Sequence, residues 1–234
     1  MAQMEAGAGG IMGVIPLNHL DRAKSRLASA LAPGERARLA LAMAEITLRA
    51  LRESGALTQV AVISPDPAAL AWAEAHGAIP LLQRGAGLAR RAGLNAGLRQ
   101  ARGWAVEQRA GGLLIALGDL PLLAAEDIRR FVAMTRLYER VVALAPDRAD
   151  EGTNLLLARP ATLAPIAYGP GSFARHRRLA QRMGAPALEF RAPGAAFDVD
   201  APGDLDELVA RGLWAPAPSD PRSLKMRGVP KEML

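Results

Sequence analysis

Short, unbroken apolar runs recur along this chain, each separated from the next by a stretch with helical spacing. Val60-Ala61-Val62-Ile63, Leu113 to Leu117 and Val141 to Ala145 carry no polar residue on either alternating face. Such runs suit strands buried on both sides of a parallel sheet. Ile11 to Leu17 and Ile79 to Leu82 read as two more strands. Glu35 to Arg52 places Leu39, Met43, Ile46, Leu48 and Leu51 at helical spacing, and Gly55 closes it. Residues 68–75, 95–108 and 125–135 read as further helices. Strand and helix in alternation imply right-handed crossovers, so the expected fold is α/β: three layers, a mostly parallel sheet, helices on both faces.

The second half continues with strands at Thr153 to Ala158 and Ala187 to Phe190, and a basic helix from Ser172 to Met183 between them. Pro202 is a favourable first-turn residue for a last helix ending near Arg211. Residues 1–10, with Gly7, Gly9 and Gly10, read as a flexible lead-in, and 214–234, with Pro216, Pro218, Pro221 and Pro230, as a proline-rich tail. One domain over 11–213 is expected, a length sufficient for a sizeable α/β core.

The absence of cysteine excludes disulfides, thiolate metal sites and a cysteine nucleophile, and suits a reducing cytosol. His19, His76 and His176 are too scattered to suggest a metal cluster. No apolar stretch approaches the ~20 residues that span a bilayer, and the first residues lack a basic and apolar leader pattern, so a cytoplasmic protein without a membrane partner is expected. The net charge of +6 could attract a polyanion, but the excess is almost all arginine and aromatics are only 4%, too few for base-stacking platforms. A nucleic-acid partner is therefore not expected. A homodimer is compatible with the sequence but not legible in it.

Three constellations could carry chemistry. In Ala116-Leu117-Gly118-Asp119-Leu120-Pro121, Asp119 follows a buried strand at the rim where open α/β sheets bind ligands, placed for a metal or for a turn cap. Further on, Asp198-Val199-Asp200 sets two carboxylates on one side of an extended segment, because side chains alternate with period two. Magnesium takes one or two carboxylates plus phosphate oxygens, so Asp119 with Asp198 or Asp200 could form a split site; a turn ahead of Pro202 is the plainer alternative.

After the first strand, Pro16 to Leu27 offers Lys24 and Arg26 to a triphosphate, or simply an exposed basic loop, without the Walker spacing. Tyr168-Gly169-Pro170-Gly171-Ser172 enters a basic helix and makes an anion seat, with Ser172 as expected N-cap. A Ser172/His176 catalytic pair at i,i+4 lacks both the nucleophile elbow and an orienting acid. Asn95, beside Gly93, reads as a polar loop residue or helix cap.

In this order the segments resemble the CofC/FbiD family, guanylyltransferases of coenzyme F420 biosynthesis within the MobA-like nucleotidyltransferase fold of nucleotide-diphospho-sugar transferase type. The resemblance runs from Val14 to Leu208 through Ala23-Lys24-Ser25-Arg26-Leu27, Gly93-Leu94-Asn95-Ala96, Gly118-Asp119-Leu120-Pro121, Ala145-Pro146-Asp147-Arg148, Gly152-Thr153-Asn154, Tyr168-Gly169 with Ser172-Phe173, and Phe197-Asp198-Val199-Asp200. It departs at Asn18, where the family often has lysine, and at Pro65, often acidic or small there.

The resemblance implies transfer of GMP from GTP to a phosphorylated three-carbon acid: phosphoenolpyruvate, 2-phospho-L-lactate or 3-phospho-D-glycerate. It implies that Asp119, Asp198 and Asp200 hold Mg2+, that Asp119, Lys24 and Arg26 are catalytic, and that Thr153, Gly169 and Ser172 seat the acceptor's carboxylate. Pro16, Lys24, Arg26 and Gly118 would face the triphosphate, with Ser64, Asp66 and Asn95 near the guanosine. Two alternatives are a nucleotidyltransferase of this fold acting on another acceptor such as molybdopterin, and a non-catalytic basic nucleic-acid-binding protein. Relatives of the first kind usually open with a Gly-Gly-x-x-x-Arg-Met-Gly loop, whereas Gly9-Gly10-Ile11-Met12-Gly13 lacks the arginine.

Overall fold

The structure, a computed structural model, describes residues 9–85 and 90–215, the side chains of 90–92 excepted. The expected lead-in up to residue 8 and the tail from 216 lie outside the described residues. The first crossovers run β1 (Ile11–Pro16), α1 (Pro33–Glu53), β2 (Gln59–Ser64), α2 (Pro67–Ala75), β3 (Ile79–Leu82), α3 (Arg90–Glu107), β4 (Gly112–Ala116) and α4 (Ala125–Ala133). The chain continues with β5 (Val141–Pro146), β6 (Thr153–Arg159), α5 (Ser172–Arg182), β7 (Ala187–Glu189), α6 (Pro193–Ala196) and α7 (Pro202–Ala210).

The seven strands of the described residues form one sheet in the order β3-β2-β1-β4-β6-β5-β7. Only β6 runs antiparallel to its neighbours. That exception follows from a short connection: a parallel neighbour needs a crossover of a dozen or more residues, whereas 147–152 merely turn the chain back. Asp147 builds this turn by accepting the N–H groups of Ala149, Glu151 and Gly152 at 3.1, 2.9 and 2.7 Å. From β1 the chain steps outward to β2 and β3, then returns to place β4 on the other flank. The carboxyl ends of β1 and β4 therefore flank the point where strand order reverses, the crevice where such sheets bind ligands.

Period-two alternation divides the core between the faces. Ile15, Val62 and Leu114 pack with Leu48 and Leu51 of α1 and Phe131 of α4. Val14, Ile63, Leu113 and Ile115 pack with Leu98 of α3 and Phe173 of α5. A third cluster joins Leu27 and Leu31 of the β1–α1 loop, Leu39 and Met43 of α1, and Phe197, Val199, Leu205, Leu208 and Trp214. This satellite core holds the C-terminal segment against the loop after β1.

Several expectations need correction. Helix α3 starts at Arg90 rather than Asn95, so Asn95 lies inside a helix and caps nothing; Gly93 within the helix had signalled a loop. Ser172 is the first residue of α5 and Gly171, at φ +65°, is its N-cap. Gly9 sits close against the backbone of Arg109 and Gly111, and Gly10, though exposed, accepts the Gly111 N–H through its carbonyl at 3.0 Å. Trp214, expected in the tail, is buried in the third cluster. Helix α6 and the 3-10 turns were not anticipated, being too short for a periodic signal.

Candidate active site

Two 3-10 turns, Leu20–Arg22 and Ser25–Leu27, follow β1, and Lys24 joins them at φ +47°. A non-glycine residue in the left-handed region is strained and persists only where its surroundings hold it. Here they do. Buried Arg36 donates to the carbonyls of Ala23 at 3.2 Å and Leu31 at 3.0 Å, and Leu27 is fully buried. On the other side, Asp66 caps α2 through Ala68 N–H at 2.9 Å while its second oxygen accepts the Leu20 N–H at 2.8 Å. The backbone fixed in this way delivers the Lys24 ammonium to two carboxylates, 2.6 Å from Asp119 Oδ2 and 3.1 Å from Asp200 Oδ1. Arg26 reaches Asp200 Oδ2 at 3.3 Å from a largely exposed position.

Asp119 and the 198–200 segment are also tied through the backbone, Val199 N–H donating to the Asp119 carbonyl at 3.3 Å. Val199 is buried, so its neighbours Asp198 and Asp200 turn the other way, as alternation predicts. Their partners differ. Asp200 meets the cations, while Asp198 Oδ1 accepts from Asn154 Nδ2 at 3.3 Å, an amide that also donates to the carbonyls of Ala195 and Ala196. The helix-capping task before α7 falls to Asp204, which accepts the N–H groups of Asp200 and Ala201.

Burial pulls the Lys24 ammonium down, but Asp119 and then Asp200 more than offset it, leaving its pKa above the usual value. Asp198 is pushed up to about 6, first by burial and then by the charge of Asp119, against the pull of the Asn154 hydrogen bond. Asp119 Oδ1 is buried with no hydrogen-bond partner. Such a group is costly unless something completes it. Among the described residues no group of three or more acids or histidines forms a ready metal site. Magnesium does not require one, since it binds through one or two carboxylates together with substrate phosphates. An orphaned carboxylate oxygen next to an acid whose charge is disfavoured fits that demand.

Consecutive residues of β6 serve opposite faces of the sheet. Asn154 reaches Asp198, and Thr153 turns toward α5, where its Oγ1 lies 2.9 Å from His176 Nδ1 and accepts from Ser172 Oγ at 3.3 Å. His176 thus pairs with Thr153 of a distant strand rather than with Ser172. The loop before α5 is clamped by Asn95, whose side chain donates to the Tyr168 carbonyl at 2.9 Å and accepts its N–H at 2.8 Å. That clamp sets the entry to Gly169, whose φ of +136° only glycine tolerates.

A cleft of about 1110 Å³ opens over these elements. Pro16, Lys24, Arg26, Gly118, Asp119, Gly169 and Asp200 all line it. Ser64 and Asp66 stand behind Pro65, with Ser64 Oγ accepting the Asp66 N–H at 3.0 Å. Three supporting residues carried no separate signal in the sequence. Arg36 and Asn154 act as described; Arg148 stacks 4.4 Å from the Phe197 ring centroid while pairing with Asp204 and Glu207 of α7, which steadies the segment leading to Asp198. Arg148 and Asn154 lay within quoted motifs, but their partners are distant in sequence.

No helix of the described residues is long and apolar enough to cross a membrane. A likeness in fold alone links the chain to a nucleotidyl transferase from a Methanothermobacter species, with a TM-score of 0.60 at 15% identity over 86% of this chain and 97% of the other. The family model described as guanylyl transferase CofC like matches residues 11–231. A phosphoenolpyruvate guanylyltransferase of Sphaerobacter thermophilus is 46% identical over 85% of this chain and 92% of its own length. One of Rubrobacter xylanophilus is 41% identical over 86% and 95%. With a nucleotidyltransferase sheet and matches spanning almost the whole fold, the chain belongs to the CofC-like guanylyl transferase family.

Proposed function

We propose that this protein transfers GMP from GTP to the phosphate of phosphoenolpyruvate, releasing pyrophosphate, as a step in coenzyme F420 biosynthesis. The choice of acceptor rests on the two relatives named for that activity. A phosphate oxygen of the acceptor attacks the α-phosphorus of GTP, the bond to the bridging oxygen breaks, and pyrophosphate leaves. The second pKa of a phosphate monoester lies near ~6, so the attacking oxygen is already largely ionised at neutral pH and needs no general base. His176 is buried, stands outside the cleft lining and is engaged by backbone and hydroxyl groups, so the reading assigns it no proton transfer.

What the reaction does require is charge neutralisation and alignment. Lys24 and Arg26 supply fixed positive charge where the triphosphate enters, and Lys24 arrives pre-positioned by its strained backbone. Bound magnesium, held by Asp119 with Asp198 or Asp200, would add charge neutralisation on the nucleotide phosphates. Thr153 and Ser172 would donate to the acceptor's carboxylate, and Gly169, without a side chain, would let backbone approach it. Ser64 and Asp66 would shape the guanosine side through the loop they hold, and Asn95, expected near the guanosine, would instead steady the Tyr168–Gly169 loop on the acceptor side. The observation that carries this reading is the meeting of Asp119 and Asp200 on Lys24 at the cleft wall.

The test is incubation with GTP, magnesium and each of phosphoenolpyruvate, 2-phospho-L-lactate and 3-phospho-D-glycerate, measuring pyrophosphate and the guanylylated product. Phosphoenolpyruvate should give the highest kcat/KM. Preference for another of the acids overturns the acceptor assignment, and no turnover with any of them overturns the reading.

A further inference from the structure

His176 is fully buried on α5, and both ring nitrogens have partners. Nε2 accepts the N–H of Ala167 at 3.2 Å, and Nδ1 lies 2.9 Å from Thr153 Oγ1. An amide N–H can only donate, so Nε2 must be the bare nitrogen. Burial, helped by the charge of Arg175, pulls the imidazole down to about 4, so near neutral pH it is uncharged and its one proton sits on Nδ1. Nδ1–H therefore donates to Thr153 Oγ1. Ser172 Oγ donates to the same oxygen at 3.3 Å.

A hydroxyl has two lone pairs and one proton. With both lone pairs of Thr153 engaged, its own proton is left for a third partner. If the two hydroxyls exchange roles, the free proton passes to Ser172; a chain that begins at an N–H donor still ends in a donor. Both hydroxyls are buried, at 1% and 2% exposure, and stand one layer behind the cleft wall: Ser172 N–H donates to the carbonyl of Gly169 at 3.0 Å, and Gly169 lines the cleft. The same imidazole braces the loop from behind, with the Tyr168 ring edge-on at 4.8 Å and the Ala167 amide on Nε2.

We infer that His176 is a positioning residue of the acceptor subsite, whose Nδ1–H fixes the Thr153–Ser172 hydroxyl pair as a donor toward the acceptor's carboxylate. A carboxylate accepts and never donates, so the fixed polarity favours it over a group that must donate. The inference rests on the acceptor subsite proposed above.

Two variants separate the donor role from bulk. His176→Asn keeps a donor with the reach of Nδ1, whereas His176→Gln keeps an acceptor with the reach of Nε2 and loses the donor to Thr153. Loss of one oriented hydrogen bond to a charged group should raise the acceptor KM of His176→Gln about tenfold or more, with the GTP KM within about twofold. His176→Asn should stay within about threefold of the unmodified protein for both substrates. Equal effects of the two variants, or a parallel rise in both KM values, overturn the inference. Independently of turnover, 15N NMR of the His176 ring should show the Nδ1–H tautomer near neutral pH, and the Nε2–H tautomer overturns it. If the unmodified protein fails to turn over any of the acids, the proposed function falls, and the tautomer alone decides whether the hydroxyl chain has the inferred polarity.

Discussion

Lys24 Nζ lies 2.6 Å from Asp119 Oδ2, joining the loop after β1 to the end of β4 across 95 residues of sequence. The same ammonium reaches Asp200, so one cation holds together two acids that would otherwise repel. The Lys24 side chain is only 9% exposed, but Asp200 is 48% exposed, which limits the strength of that second pair through solvent screening.

Replacing Lys24 by methionine should leave Asp119 without its partner in a mostly buried setting. Breaking a fully buried pair costs several kcal/mol, and the exposure of Asp200 brings the expected loss to about 1–3 kcal/mol. Divalent cations should then bind the freed carboxylates. In thermal melts, Lys24→Met should recover more Tm on adding magnesium chloride than the unmodified protein gains; an equal response in both would show that the acids do not attract the metal.

Asp119 and Ser172 should fail in different ways. Asp119→Asn removes a carboxylate proposed to hold the magnesium that neutralises the nucleotide phosphates, and turnover should be abolished. Ser172→Ala removes one hydroxyl of the proposed acceptor subsite, and mainly the acceptor KM should rise. Steady-state kinetics with both substrates varied distinguishes the two, and a comparable loss of kcat in both variants contradicts the assigned roles.

The strands were legible because a sheet covered on both faces forces near-continuous apolar runs, as at Val60 to Ile63 and Leu113 to Ala116. The direction of β6 was less legible: Leu155 to Leu157 read alike whether the strand runs parallel or antiparallel, and the deciding feature is the turn organised by Asp147. At the site, alternation in Asp198-Val199-Asp200 correctly set the acids opposite a buried valine. Their separate partners, Asn154 and Lys24, are tens of residues away and leave no local periodicity. His176 shows the same limit. Its helical spacing pointed to Ser172, whereas packing of α5 on β6 gives the imidazole to Thr153.

Stability should fall on the acid side because of His176. Its folded pKa, about 4, lies below the unfolded value near 6.5, so the unfolded chain takes up a proton that the native state refuses. The contribution is fully present above about pH 6.5 and is lost as pH falls through about 4. At pH 5 the loss should be about 2 kcal/mol relative to pH 8. Urea unfolding at both values should show the unmodified protein losing that much more than His176→Gln, in which carboxylate titrations persist but the imidazole is gone. Parallel pH dependence in the two proteins would contradict a buried neutral imidazole.

The third hydrophobic cluster links stability to geometry at the acids. Leu208 of α7 is 1% exposed and packs in the cluster that includes Val199, the residue between Asp198 and Asp200. Truncating a buried leucine to alanine costs about 2–5 kcal/mol through lost transfer energy and the cavity left behind. Leu208→Ala should be destabilised by that amount in denaturant titrations. Because the cluster also contains Leu27 and Leu31 of the Lys24 loop, the same cavity should loosen the alignment of Lys24 with Asp200. The GTP KM should therefore rise at temperatures where the variant is still fully folded, while the acceptor KM, which the proposed function assigns to Thr153 and Ser172 on the opposite face of the sheet, should change little. A Leu208→Ala protein with normal GTP KM and the full stability loss would show that the satellite core supports the fold without setting the position of the acids.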